Sequence, residues 1–336
     1  MKIEHREMLK SDTPSVHAAT IAFYKDKPVF SWFGGSREGN PDVAIYVQAG
    51  DKVHVIGDKD QIPRWNPILF PYKDGLYLFT KSGTFCDRWQ TFIHDISGIW
   101  DEDFDLTKCR VQILPAGLNG PVKTKPIVVD NDIYCGSSVE TIYDWTSYIE
   151  VYSKWDKDKP FDFVSRTPPL TVPKKRYKNR LGMNAVTLGI IQPSLWIDRD
   201  GILNAFFRSS RGLGTIYHSE RRCSDEELKI YDWTSPQETS LENPNSGIDA
   251  VYCYDKLYLA HNPSSDYRYP LVVSQLRPSF KIKESLVIRE KVESSFNDWN
   301  TKELSYPYMI EHEEALHLVY TYGRAVIEHC IIDISQ

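Results

Sequence analysis

The chain has 336 residues, 41% hydrophobic and 26% charged, enough apolar material for a packed core and too much for wholesale disorder. A formal net charge of −6 argues against a general nucleic-acid binder, whose domain would be basic, while leaving room for a local cluster of cations. The 20 Tyr and 9 Trp favour strands over helices.

The N-terminal stretch MKIEHREMLKSD lacks the apolar core of a secretory signal. The longest apolar runs, such as Ala185–Ile191, are strand-sized, so membrane insertion is not expected. The cytoplasm is the default compartment, and a virion or release by lysis would leave the same features. From His17 onward one pattern recurs: a polar residue, then Pro or a small residue, then a short apolar strand. It appears at His17-Ala18, Asn66-Pro67, Lys125-Pro126, Gln192-Pro193, Ser246-Gly247 and Tyr306-Pro307, at intervals of 49 to 67 residues. Each instance leads through a turn such as KDK, KDG or DRDG into a second apolar strand: PVFSWF, LYLFT, IYCG, ILNAFF, KLYLA or ALHLVY. That is a hairpin signal six times over. A third strand and a weaker fourth follow in most repeats. Units of this length with four strands each are propeller blades. The expected fold is all-β, a six-bladed β-propeller in which residues 1–336 form a single domain.

In such a fold the first strand of each blade lines the central channel. The residues that begin the repeats are then expected to ring one ligand: His17, Asn66, Lys125, Gln192, Ser246 with Asn245 and Asp249 beside it, and Tyr306. Partners 15 or 16 residues on, such as Lys81, Arg208 and Asn262, are expected to return to the same face. Packing alone has no need of different polar side chains at equivalent positions; an asymmetric ligand does. Lys81, Lys123, Lys125, Arg208, Arg268 and Arg324, with Arg37 after the first hairpin, favour a carboxylate, phosphate or sulfate, because guanidinium forks bind such groups bidentately. Tyr72, Trp65, Trp89, Trp145 and Tyr267 are candidates for stacking on sugar faces.

Taken together, HAATIAF, SWFGGSREGNPDV, RWNPILF, GPVKTKPI, IQPSLW, NAFFRSSRG, ENPNSGIDAV, NPSSDYRYPLVVS, SYPYMI and YTYGR resemble the sialidase-like family of BNR-repeat proteins over nearly the full length. The resemblance implies an exo-acting glycosidase. It casts Arg208 and Arg268 as the second and third arginines on a sugar carboxylate and Tyr306 as the nucleophile. Glu38 and Asp42, in the loop after the first hairpin, are alternative acids. Two positions depart from the family pattern. His17 stands where the first arginine belongs, and Gln192 stands where a glutamate would activate the tyrosine. Glutamine cannot accept a proton, so a related enzyme on a different acidic sugar fits better than a simple neuraminidase.

The leading expectation is therefore an exo-glycosidase acting on an acidic glycan. Arg37, Asn66, Lys81, Lys123, Lys125, Glu140, Gln192, Arg208, Asn245, Asp249, Asn262, Arg268 and Arg324 would bind substrate. Tyr306, Glu38 or Asp42, and His17 would carry the chemistry. A uronate lyase using His17 and Tyr306 for proton transfer is one alternative. A non-catalytic glycan-binding propeller is the other.

No cofactor or metal is expected. The six cysteines, Cys86, Cys109, Cys135, Cys223, Cys253 and Cys330, form no C-x-x-C pair, which suggests neither a disulfide framework nor zinc. GGSREG lacks the Lys-Ser/Thr of a P-loop. HEEALH reads as a turn followed by a strand, His329 as a packed strand histidine, and KKRYKNR (Lys174–Arg180) as a solvated loop that could rim the site.

Overall fold

A computed structural model describes residues 1–9, 11–57, 59–156, 159–221, 233–293 and 302–335. These contain six four-stranded antiparallel sheets, the blades of a six-bladed β-propeller, and two short 3-10 turns. No helix among the described residues is long and apolar enough to cross a membrane. The chain divides into two compact units, Met1–Lys125 with Lys291–Gln336, and Pro126–Glu290.

The first unit holds three sheets. One consists of β2 (Ser15–Tyr24), β3 (Lys27–Gly35), β4 (Ala44–Ala49) and β5 (Lys52–Ile56). The next consists of β6 (Arg64–Tyr72), β7 (Gly75–Ser82), β8 (Gln90–Asp95) and β9 (Val111–Ile113). The third runs from β24 (Leu304–His312) through β25 (Ala315–Tyr322) and β26 (Val326–Asp333) to β1 (Lys2–Leu9). The N-terminal strand thus completes the last blade, pairing antiparallel with β26 from Lys2 opposite Asp333 to Leu9 opposite Ile327.

The second unit holds the remaining three sheets. They are β10 (Ile127–Val129) to β13 (Lys159–Arg166), with β11 (Asp132–Glu140) and β12 (Trp145–Asp156) between; β16 (Ile190–Ile197), β17 (Leu203–Ser209), β18 (Thr215–Glu220) and β19 (Gln237–Glu242); and β20 (Asp249–Cys253), β21 (Lys256–His261), β22 (Leu271–Leu276) and β23 (Ile282–Arg289). A separate hairpin of β14 (Arg176–Lys178) and β15 (Asn184–Val186) belongs to no blade.

Position within the blade explains strand composition. β17 (LNAFFRS) and β22 (LVVSQL) are buried along their whole length, because both faces are covered, and they read as near-continuous apolar runs. Fourth strands such as β23 (IKESLVIR) are mostly exposed and carry Lys, Glu and Arg, which blunt an open edge. In the second unit β11 meets β16 so closely that a Cβ on Gly136 would lie 2.1 Å from the Pro193 carbonyl oxygen. Only glycine fits there.

In four of the repeats the start is a β-bulge. The pairing of first and second strands skips two residues between His17 and Thr20, Trp65 and Ile68, Ile191 and Ser194, and Ser305 and Tyr308. The first skipped residue is left-handed each time: Ala18 (φ 53°), Asn66 (36°), Gln192 (54°) and Tyr306 (55°). In the other two repeats Lys123 (79°) and Asn245 (65°) take this conformation ahead of the first strand. This shifts three of the six expected positions. Ala18, not His17, Lys123, not Lys125, and Asn245, not Ser246, share the conformation of Asn66, Gln192 and Tyr306. The polar residue immediately before the proline or small residue is thus not in every repeat the left-handed one. Left-handed non-glycine residues cost about 1–3 kcal/mol each and persist where surrounding structure fixes them, commonly at functional sites.

Candidate functional site

In the first unit, polar side chains gather around the bulge of β24. The Tyr306 ring lies 4.0 Å from that of His17, centroid to centroid. His17 is fully buried, and its Nδ1 is 2.8 Å from Thr321 Oγ1 and 4.0 Å from Glu303 Oε1. Glu303 accepts hydrogen bonds from Ser305 Oγ at 2.9 Å and from Arg324 Nε at 2.5 Å. Arg324 also donates to Glu38. Burial opposes the Arg324 charge, but the Glu38 and Glu303 carboxylates outweigh it and raise its pKa above the ordinary value. Arg324 itself is left-handed (φ 61°), and its carbonyl accepts from Val16 N at 2.9 Å, which ties the β25–β26 turn to β2.

Three lysines lie in the same unit. Lys81 and Lys123 are almost fully buried and donate to the carbonyls of Pro121 (2.6 Å) and Pro307 respectively. Lys123 sits 5.8 Å from the ring centres of both Tyr306 and Tyr308, and Lys125 sits 5.4 Å from Tyr308. Asn66 is buried at its bulge. Arg37 is exposed in the loop after β3. Asp42 accepts from Ser36 N at 2.7 Å and Ser36 Oγ at 2.8 Å, and these bonds hold its carboxyl below the usual range. That loop brace favours the carboxylate form of Asp42.

In the second unit two guanidinium groups converge on one asparagine. Arg208 Nε and Nη2 donate to Asn245 Oδ1 at 3.1 and 2.8 Å, while Arg268 Nε and Nη2 donate to the Asn245 carbonyl at 3.2 and 2.8 Å. Arg208 Nη1 also donates to Gln192 Oε1 at 3.0 Å, and Gln192 Nε2 donates to Glu140 Oε1 at 3.1 Å. The amide at Gln192 therefore relays between a cation and a carboxylate. A glutamate there would crowd Glu140 instead. Arg208 lies 5.4 Å over the Trp145 ring. Asp249 and Asn262 are fully buried: Asp249 accepts from Ser194 Oγ at 2.8 Å, linking β16 to β20, and Asn262 donates to the Pro270 carbonyl at 2.8 Å, bracing the loop that bears Arg268. Ser246, also buried, lies beside the left-handed Asn245.

Two participants escaped the sequence reading, Glu303 and Thr321. Glu303 stands just before β24 in a stretch of mixed charge, and only tertiary structure brings it to Arg324 and His17. Thr321 reads as an ordinary strand residue. Cys86, Cys109, Cys135, Cys253 and Cys330 are free thiols, and Cys223 lies outside the described residues. His312 ends β24, and β25 begins at Ala315 after a Glu313-Glu314 turn; His329 is buried in β26.

Solved structures with this fold include a protein of unknown function from Dyadobacter fermentans (TM-score 0.70, 12% identity, 99% of each chain covered). They also include the Trypanosoma rangeli sialidase in complex with sialic acid (0.56, 10% identity, all of this chain and 58% of that one). A third is the Penicillium chrysogenum alpha-L-arabinanase complexed with arabinobiose (0.58, 11% identity, 96% of this chain and 94% of that one). Likeness at such identities shows the fold alone. No curated protein sequence matches the chain significantly. The BNR repeat-like domain model matches residues 28–318, and with its bladed architecture the chain belongs to that BNR repeat-like family.

Proposed function

We propose that the chain is an exo-acting glycoside hydrolase that removes a carboxylate-bearing sugar from the end of an acidic glycan. The observation that carries this reading is the setting of Tyr306, fixed in a left-handed bulge with its ring 4.0 Å from His17. Tyr306 Oη attacks the anomeric carbon while the bond from that carbon to the leaving oxygen breaks, a tyrosine variant of retaining hydrolysis. Glu38 or Asp42, entering the reaction in its protonated form, gives a proton to the leaving oxygen, and the phenolic proton passes to His17. Water then displaces the tyrosine: the same carboxylate takes a proton from the water, and His17 returns one to Tyr306. The acidic-sugar preference is supported by Arg208 and Arg268, whose forked donors suit a carboxylate.

The test is a panel of acidic oligosaccharides with products identified by mass spectrometry. Release of a terminal acidic sugar by the native protein, lost in Tyr306→Phe, is the expected result; turnover retained in Tyr306→Phe removes the nucleophile assignment. The contact between His17 and Tyr306 also suits a uronate lyase. That reading predicts an unsaturated product with new ultraviolet absorbance.

A further inference from the structure

The β14–β15 hairpin of the second unit contributes to no blade, yet it is firmly seated. Its base is closed by Lys175 N donating to Thr187 Oγ1 at 2.8 Å and Thr187 N donating to the Lys175 carbonyl at 2.9 Å. Its tip is fixed by Asn179 Oδ1, which accepts from Leu181 N and Met183 N at 3.0 Å each. Tyr177 packs on Gly212, where a Cβ would fall 2.5 Å from the ring. At the tip Arg180 donates to the Asp266 carbonyl and lies 4.9 Å over the Tyr267 ring. Gly212 belongs to the turn that follows Arg208, and Tyr267 precedes Arg268. The hairpin is therefore anchored on the two segments that carry the converging guanidinium groups.

Its cations are not all used in anchoring. Lys174 pairs with Asp144 at 2.9 Å, and Lys175 pairs with Glu238. Arg176 and Lys178 flank Tyr177 in β14, so they share the strand face opposite the anchor, and both are exposed. Arg211, beside Gly212, is exposed as well. Among the described residues neither Arg176, Lys178 nor Arg211 has an ion pair. Like charges held side by side on a fixed strand repel each other, a cost that a multiply charged anion would reverse.

We propose that this hairpin and the turn after Arg208 form a secondary binding site for a polyanionic glycan chain. Arg176, Lys178 and Arg211 would hold acidic residues that follow the sugar bound at Arg208 and Arg268. The proposal rests on the reading of that arginine pair as an acidic-sugar site, and it makes the substrate a polymer of acidic sugars instead of a neutral glycan with one charged end.

The test measures binding of polygalacturonate, alginate and heparin, and of their monosaccharides, to the native protein and to two variants. At least one polymer should bind with an affinity that falls as salt rises, more tightly than its monosaccharide or a neutral methyl ester. The combined variant Arg176→Gln/Lys178→Gln/Arg211→Gln should weaken polymer binding about ten-fold and flatten its salt dependence, because fewer counterions are released. Its monosaccharide affinity should be unchanged. Arg208→Gln should weaken both. Polymer binding untouched by the combined variant, equal binding of the neutral ester, or no binding of any polymer overturns the proposal. Polymer binding lost in the combined variant but kept, with the monosaccharide, in Arg208→Gln would uphold the hairpin site and overturn the reading of the arginine pair.

Discussion

In the first unit the guanidinium of Arg324 is gripped by the carboxylates of Glu38 and Glu303, beside a histidine and a tyrosine. In the second, Arg208 and Arg268 converge on the amide and carbonyl oxygens of a single asparagine. A left-handed residue at the repeat start contributes to both clusters: Tyr306 in one, Gln192 and Asn245 in the other. One backbone conformation thus presents a tyrosine ring beside a histidine in the first unit and acceptors for guanidinium groups in the second. The difference lies in the side chains, because the left-handed conformation fixes where a residue sits and leaves its chemistry open.

The comparison breaks most visibly at Tyr306. Tyr306→Phe should lower kcat on the best acidic glycoside by about a thousand-fold or more, the scale expected for removing a nucleophile, with an unaltered circular dichroism spectrum. Arg208→Gln should act mainly on KM, raising it by about ten- to a hundred-fold, since a bidentate charge-assisted contact is lost. If that substitution lowered kcat alone, Arg208 would not be acting as a binding residue. Gly136→Ala forces a methyl group against the Pro193 carbonyl and should destabilise the protein by about 1–3 kcal/mol in urea unfolding, leaving KM unchanged. Glu303→Gln, which keeps the shape but removes one carboxylate from Arg324, should reduce kcat by about ten-fold and shift its pH profile. An unaltered profile would reduce Glu303 to packing.

Acid offers a milder probe of the same contrast. Burial holds His94 and His317 in the first unit, and His218 and His261 in the second, at a pKa of about 4. Each is neutral when folded, while the unfolded chain takes up the proton near 6.5. Their contribution is complete above about pH 6.5 and declines as pH falls towards 4, levelling off below that. His317 Nδ1 lies 3.1 Å from His329 Nε2, and His329 Nδ1 lies 2.7 Å from Glu7 Oε1, so the first unit's histidines are coupled across β25, β26 and β1. With Glu7 accepting from His329, a proton added to His329 Nε2 would face the N–H of His317. Hydrogen exchange should therefore show β25 and β26 losing protection at a higher pH than β17 and β18. Simultaneous loss would remove the coupling from the account.

The blades were legible because hairpin patterns follow from local propensity and turn chemistry. Tyr306, Arg208 and Arg268 stand in motifs long enough to compare with a family, and the structure brings Arg208 and Arg268 together on Asn245. The N-terminal strand was not legible as part of the last blade, since its partner β26 lies at the opposite end of the sequence. The left-handed conformation at Ala18, Lys123 and Asn245 is not legible in the sequence, because it carries no compositional mark beyond the proline that sometimes follows.

What the sequence determined by itself was the strand pattern and the polar starts of the repeats, both of which depend on nearest neighbours. Tertiary structure alone decided how those residues are used. It turned Lys81, Lys123 and Asp249 to carbonyls or hydroxyls inside the blades, brought Glu303 to Arg324, and seated the KKRYKNR hairpin on Gly212 and Tyr267. Burial of a charge demands a partner, and which partner lies within reach is a property of the packed fold.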